Sequence, residues 1–315
     1  MKIFWFGCKS SPDIGLGHLT RCVALAEELN LRGYKVCFNH LSRIDSRGIE
    51  IMSQSNLTLE CACDGKPDIV IVDSYELDFI NSFNTSLEHK LVLLVDEISP
   101  DLYANHYLQA SPIRFWKPKN TLGSVFEFHR NPILRLSFDG FKIKSDKNVS
   151  KAGILISLGA ANNRETILKI LVKTLRKFPK FSYQISVVAG GVNQSQLESQ
   201  CADLGLNLLI GSYDLKTLCD DYSFVISAGG VTSWELISLE VPGFLIGVAQ
   251  NQSLQINYLN ESKLRRGIVF ENEKKFTEDL HQLLMNEDFS TLRAPQKLIE
   301  NGRIQAVNWL LSLKV

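Results

Sequence analysis

No apolar run in this chain of 315 residues approaches the roughly 18 residues that cross a bilayer, so membrane insertion is not expected. An excess of one charge is also missing. Lys plus Arg and Asp plus Glu number 34 each, a net charge of zero at pH 7, and nothing in that balance points to a nucleic-acid partner. Heptad arrays, low-complexity tracts and short solenoid repeats are absent as well. Cysteine is scattered rather than clustered. Of seven, the close pair Cys61 and Cys63 is too tight for a two-residue-spaced metal knuckle, so reduced, mostly buried thiols are expected, with no metal and no cofactor. The opening residues read as a strand rather than a charged region before a long apolar core. No signal peptide is therefore expected, and the combined expectation is a soluble cytoplasmic protein, with no oligomeric state indicated.

What is present begins with Ile14-Gly15-Leu16-Gly17-His18-Leu19-Thr20-Arg21. It follows a short apolar strand, Lys2 to Gly7, and opens a helix from Leu19 to Asn30 whose Leu19, Cys22, Val23, Ala26 and Leu29 share a face. Gly15 and Gly17 let the backbone turn sharply and approach a ligand, and the helix start favours an anion beside His18 and Arg21. Thr20 stands where a dinucleotide fingerprint has its third glycine, so the spacing is not that fingerprint.

Strands are expected next at Lys35 to Asn39, Asp68 to Asp73 and Leu91 to Asp96, the last two being continuous apolar runs that end in an acid. Such runs suit parallel strands covered on both faces. Ligands collect beyond the carboxyl ends of such strands, so Asp73, Tyr75, Asp96 and Glu97 should converge near the Gly15 to His18 turn. The pattern weakens from about Ser111 to Lys151, the expected junction between domains of residues 1–145 and 146–315. Strands then alternate with helices again, from Gly153 to Leu158 through Gly243 to Gly247. Two doubly wound α/β domains facing across a cleft are expected, with a closing helix over Pro295 to Leu313 that packs back across the seam.

The second half repeats the strand, glycine turn and helix design at Ser227-Ala228-Gly229-Gly230-Val231-Thr232-Ser233-Trp234-Glu235, followed by the polar loop Gln250-Asn251-Gln252. Gly229 and Gly230 free the backbone to cradle phosphate oxygens, and Thr232 can cap the helix or hydrogen-bond to them. Glu235 has two readings: a capping-box carboxylate, or an acceptor for ribose hydroxyls.

Taken in order and spacing, Gly15 to Cys22, Asp73-Ser74-Tyr75, Asp96-Glu97, Asn131-Pro132-Ile133-Leu134-Arg135, Gly229 to Glu235 and Asn251-Gln252 carry a resemblance. The chain resembles the pseudaminic acid pathway hydrolases, which split UDP-2,4-diacetamido-2,4,6-trideoxy-β-L-altropyranose into UDP and free sugar and look like a hydrolytic offshoot of the GT-B glycosyltransferases. The resemblance implies a GT-B-like fold of two Rossmann-like domains and a small-molecule UDP-sugar as partner. It makes His18 the catalytic histidine that activates water, with Gly15, Gly17, Arg21, Asp73, Tyr75 and Asp96 on the sugar side. Asp73 and Asp96 carry two further readings, orienting His18 and capping a helix after the strand. Gly159, Gly229, Gly230, Thr232, Glu235, Asn251 and Gln252 would hold UDP. Attack opposite the departing UDP would invert the anomeric centre.

Two positions depart from that pattern. The family has Arg-x-Asp where Gly7-Cys8-Lys9 stands, a base replacing an acid, and a Gly-Gly followed by an acid where Leu158-Gly159-Ala160-Ala161-Asn162-Asn163 stands. The first bears on the orientation of the sugar or histidine and the second on the grip on the diphosphate. A GT-B glycosyltransferase of surface polysaccharide synthesis, with an acceptor hydroxyl in place of water, is the alternative activity. A sugar-nucleotide binding protein without catalysis is the third reading.

Overall fold

In the structure, a computed structural model, the described residues are 2–11, 14–39, 41–59, 65–83, 89–95, 104–109, 124–126, 132–139, 153–159, 163–181, 183–189, 194–210, 215–286 and 301–314. The chain divides into two compact units: unit 1, Met1–Asp139 with Ile299–Val315, and unit 2, Gly140–Leu298.

Unit 1 runs β1 (Ile3–Cys8), α1 (Gly17–Leu31), β2 (Lys35–Phe38), α2 (Ser46–Gln54), β3 (Ile69–Asp73), α3 (Leu77–Asn81), β4 (Lys90–Val95), β5 (His106–Gln109) and β6 (Ser124–Phe126). The strands form one parallel sheet in the order β2-β1-β3-β4-β5-β6. Apolar side chains on both faces explain the continuous apolar runs. Phe4, Phe6, Ile69, Ile71, Val92 and Leu94 pack with α1 on one face, whereas Val70, Val72, Leu91 and Leu93 pack with Phe79 and Ile80 of α3 on the other. From β1 the chain moves outward to β2 and then returns to β3 on the opposite side. The order therefore reverses between β1 and β3, the place where such sheets bind ligands.

Unit 2 runs β7 (Gly153–Ser157), α4 (Arg164–Leu175), β8 (Gln184–Val188), α5 (Gln194–Asp203), β9 (Asn207–Leu209), α6 (Leu215–Asp221), β10 (Phe224–Ala228), α7 (Val231–Ser238), β11 (Gly243–Gly247), α8 (Gln250–Glu261), β12 (Gly267–Val269) and α9 (Glu273–Asn286). Its parallel sheet has the order β12-β11-β10-β7-β8-β9, which reverses between β7 and β10. Ile154, Ile156, Phe224, Ile226, Phe244 and Ile246 pack against α4 and α9 in its core.

The closing helix α10 (Gly302–Ser312) lies in unit 1, where Ala306, Val307 and Leu310 join the core beside α1. Lys2 ties the ends of the chain together by donating from Nζ to the carbonyls of Leu311 and Leu313 at 2.9 and 2.7 Å. The closing helix, expected to return across the seam, is thus counted with unit 1 rather than unit 2. The expected junction also contains unit 1 structure: β6 pairs with β5, and Ile133 and Leu134 are buried. Cys8, Cys22, Cys201 and Cys219 are free and buried, but Cys37 is disulfide-bonded, which corrects the expectation of uniformly reduced thiols. Among the described residues no helix is long and apolar enough to cross a membrane.

Candidate functional site

In unit 1 the site forms at the reversal of strand order. The register sets Cys8, the last residue of β1, opposite Asp73, the last residue of β3. After β1 the chain turns at Gly15, whose φ of +81° suits glycine, and Gly15 N donates to Ser11 O at 2.7 Å. Helix α1 starts two residues earlier than the sequence pattern indicates, with Gly17, so His18 lies inside its first turn. His18 and Arg21, three apart, share a helix face.

Both side chains reach Asp73. Arg21 donates from Nε to Oδ2 and from Nη2 to Oδ1, each at 2.8 Å, a bidentate pair, and His18 Nδ1 lies 2.5 Å from the same Oδ1. Asp73 is 1% exposed and Arg21 5%. A carboxylate can only accept, so the short contact assigns a ring proton to Nδ1, and in the neutral imidazole the Nε2 lone pair then faces away from Asp73. Arg21 Nη2 is also 3.1 Å from His18 Nδ1, which is then two donors side by side on one acceptor rather than a hydrogen bond between them. Tyr75 packs edge-on against the imidazole, ring centroids 4.8 Å apart at 75°, and is itself half exposed. Arg21, expected on the sugar side, is thus engaged with Asp73, and of the readings open for Asp73 the contact with His18 is the one formed. Asp96 lies outside the described residues.

Lys9, the base at the departing position, pairs with Glu76 and lies over the Phe79 ring at 4.7 Å. Behind the site, Cys22 hydrogen-bonds to Cys8. Burial, then the Cys8 contact, pushes its thiol well above the ordinary range, so an uncharged thiol backs the Asp73 carboxylate.

In unit 2, Ser157 pairs in register with Ser227, so the turns after β7 and β10 adjoin. Gly159 has φ +62°, a conformation that favours glycine. At Gly229 an added Cβ would lie 2.9 Å from Ile256 Cδ1, which would have to shift, whereas at Gly230 the nearest atom would be Gln252 Nε2 at 3.8 Å. The backbone at Gly230 therefore stands open on the side where its side chain would be. Gly230 caps α7 without a side chain, and this corrects the capping-box reading: Glu235 falls beyond the first turn, where it is buried, and Thr232 is partly buried in that turn. The polar segment Gln250 to Gln252 is likewise helix rather than loop, forming the first turn of α8 after extended Ala249. Gln252 Oε1 accepts from Val248 N at 3.0 Å, while the side chain of Asn251 lies outside the described residues.

Two further residues lie at these turns without having been singled out from the sequence. Gln255 donates from Nε2 toward the carbonyls of Gly229 and Gly230 at 2.7 and 3.0 Å and toward Ser233 Oγ at 2.5 Å, holding the glycine turn from α8. Its signal was present, because Gln252 and Gln255 share one face of a helix. Arg164, the first residue of α4, donates to Gly159 O at 3.3 Å, and burial lowers its pKa from the ordinary value. Among the described residues no three His, Cys, Asp or Glu gather to hold a metal ion.

No family model and no curated protein matches the chain in sequence. Solved structures do match in fold. MurG of Acinetobacter baumannii aligns over 99% of this chain and 100% of its own at 12% identity and TM-score 0.57. A Listeria monocytogenes protein assigned as a UDP-N-acetylglucosamine 2-epimerase aligns over 99% and 95% at 12% identity and TM-score 0.66. The spinosyn rhamnosyltransferase SpnG, solved with thymidine diphosphate, aligns over 99% and 96% at 13% identity and TM-score 0.57. At these identities the likeness concerns architecture: two parallel, doubly wound α/β units of the GT-B type, as in the glycosyltransferase structures this chain is similar to.

Proposed function

We propose that the protein is a UDP-sugar hydrolase that converts a UDP-linked 2,4-diacetamido-2,4,6-trideoxyhexose to UDP and free sugar in nonulosonic (pseudaminic) acid biosynthesis. The observation that carries this reading is the His18–Asp73 pair at the strand-order reversal of unit 1, with the ring proton on Nδ1 and Nε2 left as base. Unit 2 would hold UDP through the open backbone at Gly230, the Gly159 turn and Arg164. Donors at helix starts stabilise the charge that develops on the departing diphosphate.

In the proposed reaction a water oxygen attacks the anomeric carbon on the face opposite UDP while its proton passes to His18 Nε2. The bond from carbon to the UDP oxygen breaks, its electron pair leaves with UDP, and the configuration inverts. Asp73 stabilises the imidazolium through Nδ1. Tyr75, half exposed beside the ring, is placed to contact the sugar.

The test is incubation of the purified protein with UDP-2,4-diacetamido-2,4,6-trideoxy-β-L-altropyranose and no acceptor, following UDP and free sugar. His18→Ala should lower turnover by roughly 10²- to 10⁴-fold with UDP affinity retained. Release that depends on an added acceptor hydroxyl would overturn hydrolysis in favour of transfer. Tight UDP-sugar binding with no turnover would make the chain a binding protein.

A further inference from the structure

We propose that Arg21 is a positioning residue that acts on His18 through Asp73: its guanidinium fixes the carboxylate plane and so holds the imidazole in the single tautomer that leaves Nε2 unprotonated. The inference rests on the reading of His18 as the base, and it assigns Arg21 a role distinct from the sugar contact that the family resemblance implies.

The geometry carries the argument. Asp73 accepts from His18 and Arg21 and, among the described residues, from no other group. With Nε on Oδ2 and Nη2 on Oδ1, rotation of the carboxylate breaks both bonds at once, so the oxygen presented to His18 stays fixed. Oδ1 already receives Arg21 Nη2, and the remaining direction at that oxygen is taken by the ring at 2.5 Å. A flipped ring would set a C–H against Oδ1 in place of the donor, and the opposite tautomer would set a lone pair against it. Both partners are almost completely buried, so water cannot substitute for a lost bond. Lysine preserves the charge in this position but not the fork, and cannot hold both oxygens.

The first test needs no substrate. ¹⁵N NMR of the native protein, with histidine labelled and His18 assigned by its absence in His18→Gln, reports which ring nitrogen carries the proton once the imidazole is neutral. A proton on Nδ1 is expected, and a proton on Nε2 overturns the proposal. In Arg21→Lys and Arg21→Met the His18 signals should move toward a mixture of tautomers. Unchanged signals in a folded variant overturn it.

The second test is kinetic. Misplacing a base by about an ångström costs on the order of a hundredfold, so kcat of Arg21→Lys should fall by that factor. KM should stay within about twofold, because Arg21 touches no substrate in this scheme. Added guanidinium ion should restore part of the turnover of Arg21→Ala, and ammonium ion should not. A raised KM with kcat intact would overturn the proposal and return Arg21 to the sugar. Failure of the hydrolase reading would be seen separately, as absent turnover in a native protein whose His18 still carries its proton on Nδ1.

Discussion

Arg303 donates from Nε to Oε2 of Glu28 at 3.0 Å, joining residues 275 positions apart inside unit 1. Arg303 is 1% exposed and also donates to Leu134 O at 3.0 Å and to Asp139, while Glu28 Oε1 accepts from Arg32 Nε at 2.8 Å. Burial alone would lower the pKa of this guanidinium, but the hydrogen bonds to Asp139 and Glu28 outweigh it and raise it. The cluster fastens α10 to α1 and to the segment before Asp139.

Breaking this pair from one side is costly. Glu28→Ala leaves a buried guanidinium with a reduced set of partners and should destabilise the protein by about 3 kcal/mol, read as a lower midpoint in urea. Arg303→Met should cost less, since Glu28 retains Arg32. Equal effects would show that the partners are not coupled as the geometry requires.

The two glycines bracketing α7 should respond in opposite ways. At Gly243, with φ +153°, an added Cβ would lie 1.8 Å from Val225 O, so Gly243→Ala should leave little folded protein. At Gly230 no atom lies within 3.4 Å of the added Cβ, so Gly230→Ala should melt normally yet bind UDP more weakly in calorimetry. Undiminished UDP affinity would remove Gly230 from the nucleotide site.

Gln255→Leu removes the donor that holds both glycine carbonyls. A net hydrogen bond is worth about 1 kcal/mol, so the Kd for UDP should rise by about fivefold while the His18 signals stay in place. A loss confined to melting temperature would make Gln255 purely structural.

His106 supplies a pH dependence. Burial first, and then the charge of Lys90, lower its pKa from the ordinary imidazole value, and Trp309 of α10 meets the ring edge-on at 6.0 Å. The unfolded chain therefore takes up the proton before the folded one. Stability should fall as pH drops through about 6.5 and stop falling below the lower, folded value. His106→Gln should flatten that part of a melting-temperature profile, and an unchanged slope would assign the dependence to other groups.

The elements most visible in the sequence were those with both faces covered. Asp68 to Asp73 and Leu91 to Asp96 read as buried parallel strands because no solvent-facing alternation interrupts them, and the acid ending each marked a carboxyl edge. That edge brought Asp73 and His18 into one neighbourhood. It did not disclose that Arg21 turns inward, because spacing of three along a helix sets a shared face but not what the face meets. Strands β5 and β6 escaped notice for a simpler reason: at four and three residues they are too short to show a period. The capping-box reading of Glu235 erred because the capping residue proved to be Gly230, which shifts the whole first turn. Arg164 and Gln255 enter through the turns they touch, and those contacts are set by packing.

The attachment of Lys2 to the last turn of α10 has a consequence for any change in the length of this protein. Unit 2 is one uninterrupted stretch enclosed by a unit whose two pieces come from opposite ends of the chain. A premature stop at Ile299 would leave every residue of unit 2 in place and still damage unit 1, stripping Val307 and Leu310 from the layer that supports α1. Because α1 carries His18, the loss of α10 would be felt at the eighteenth residue.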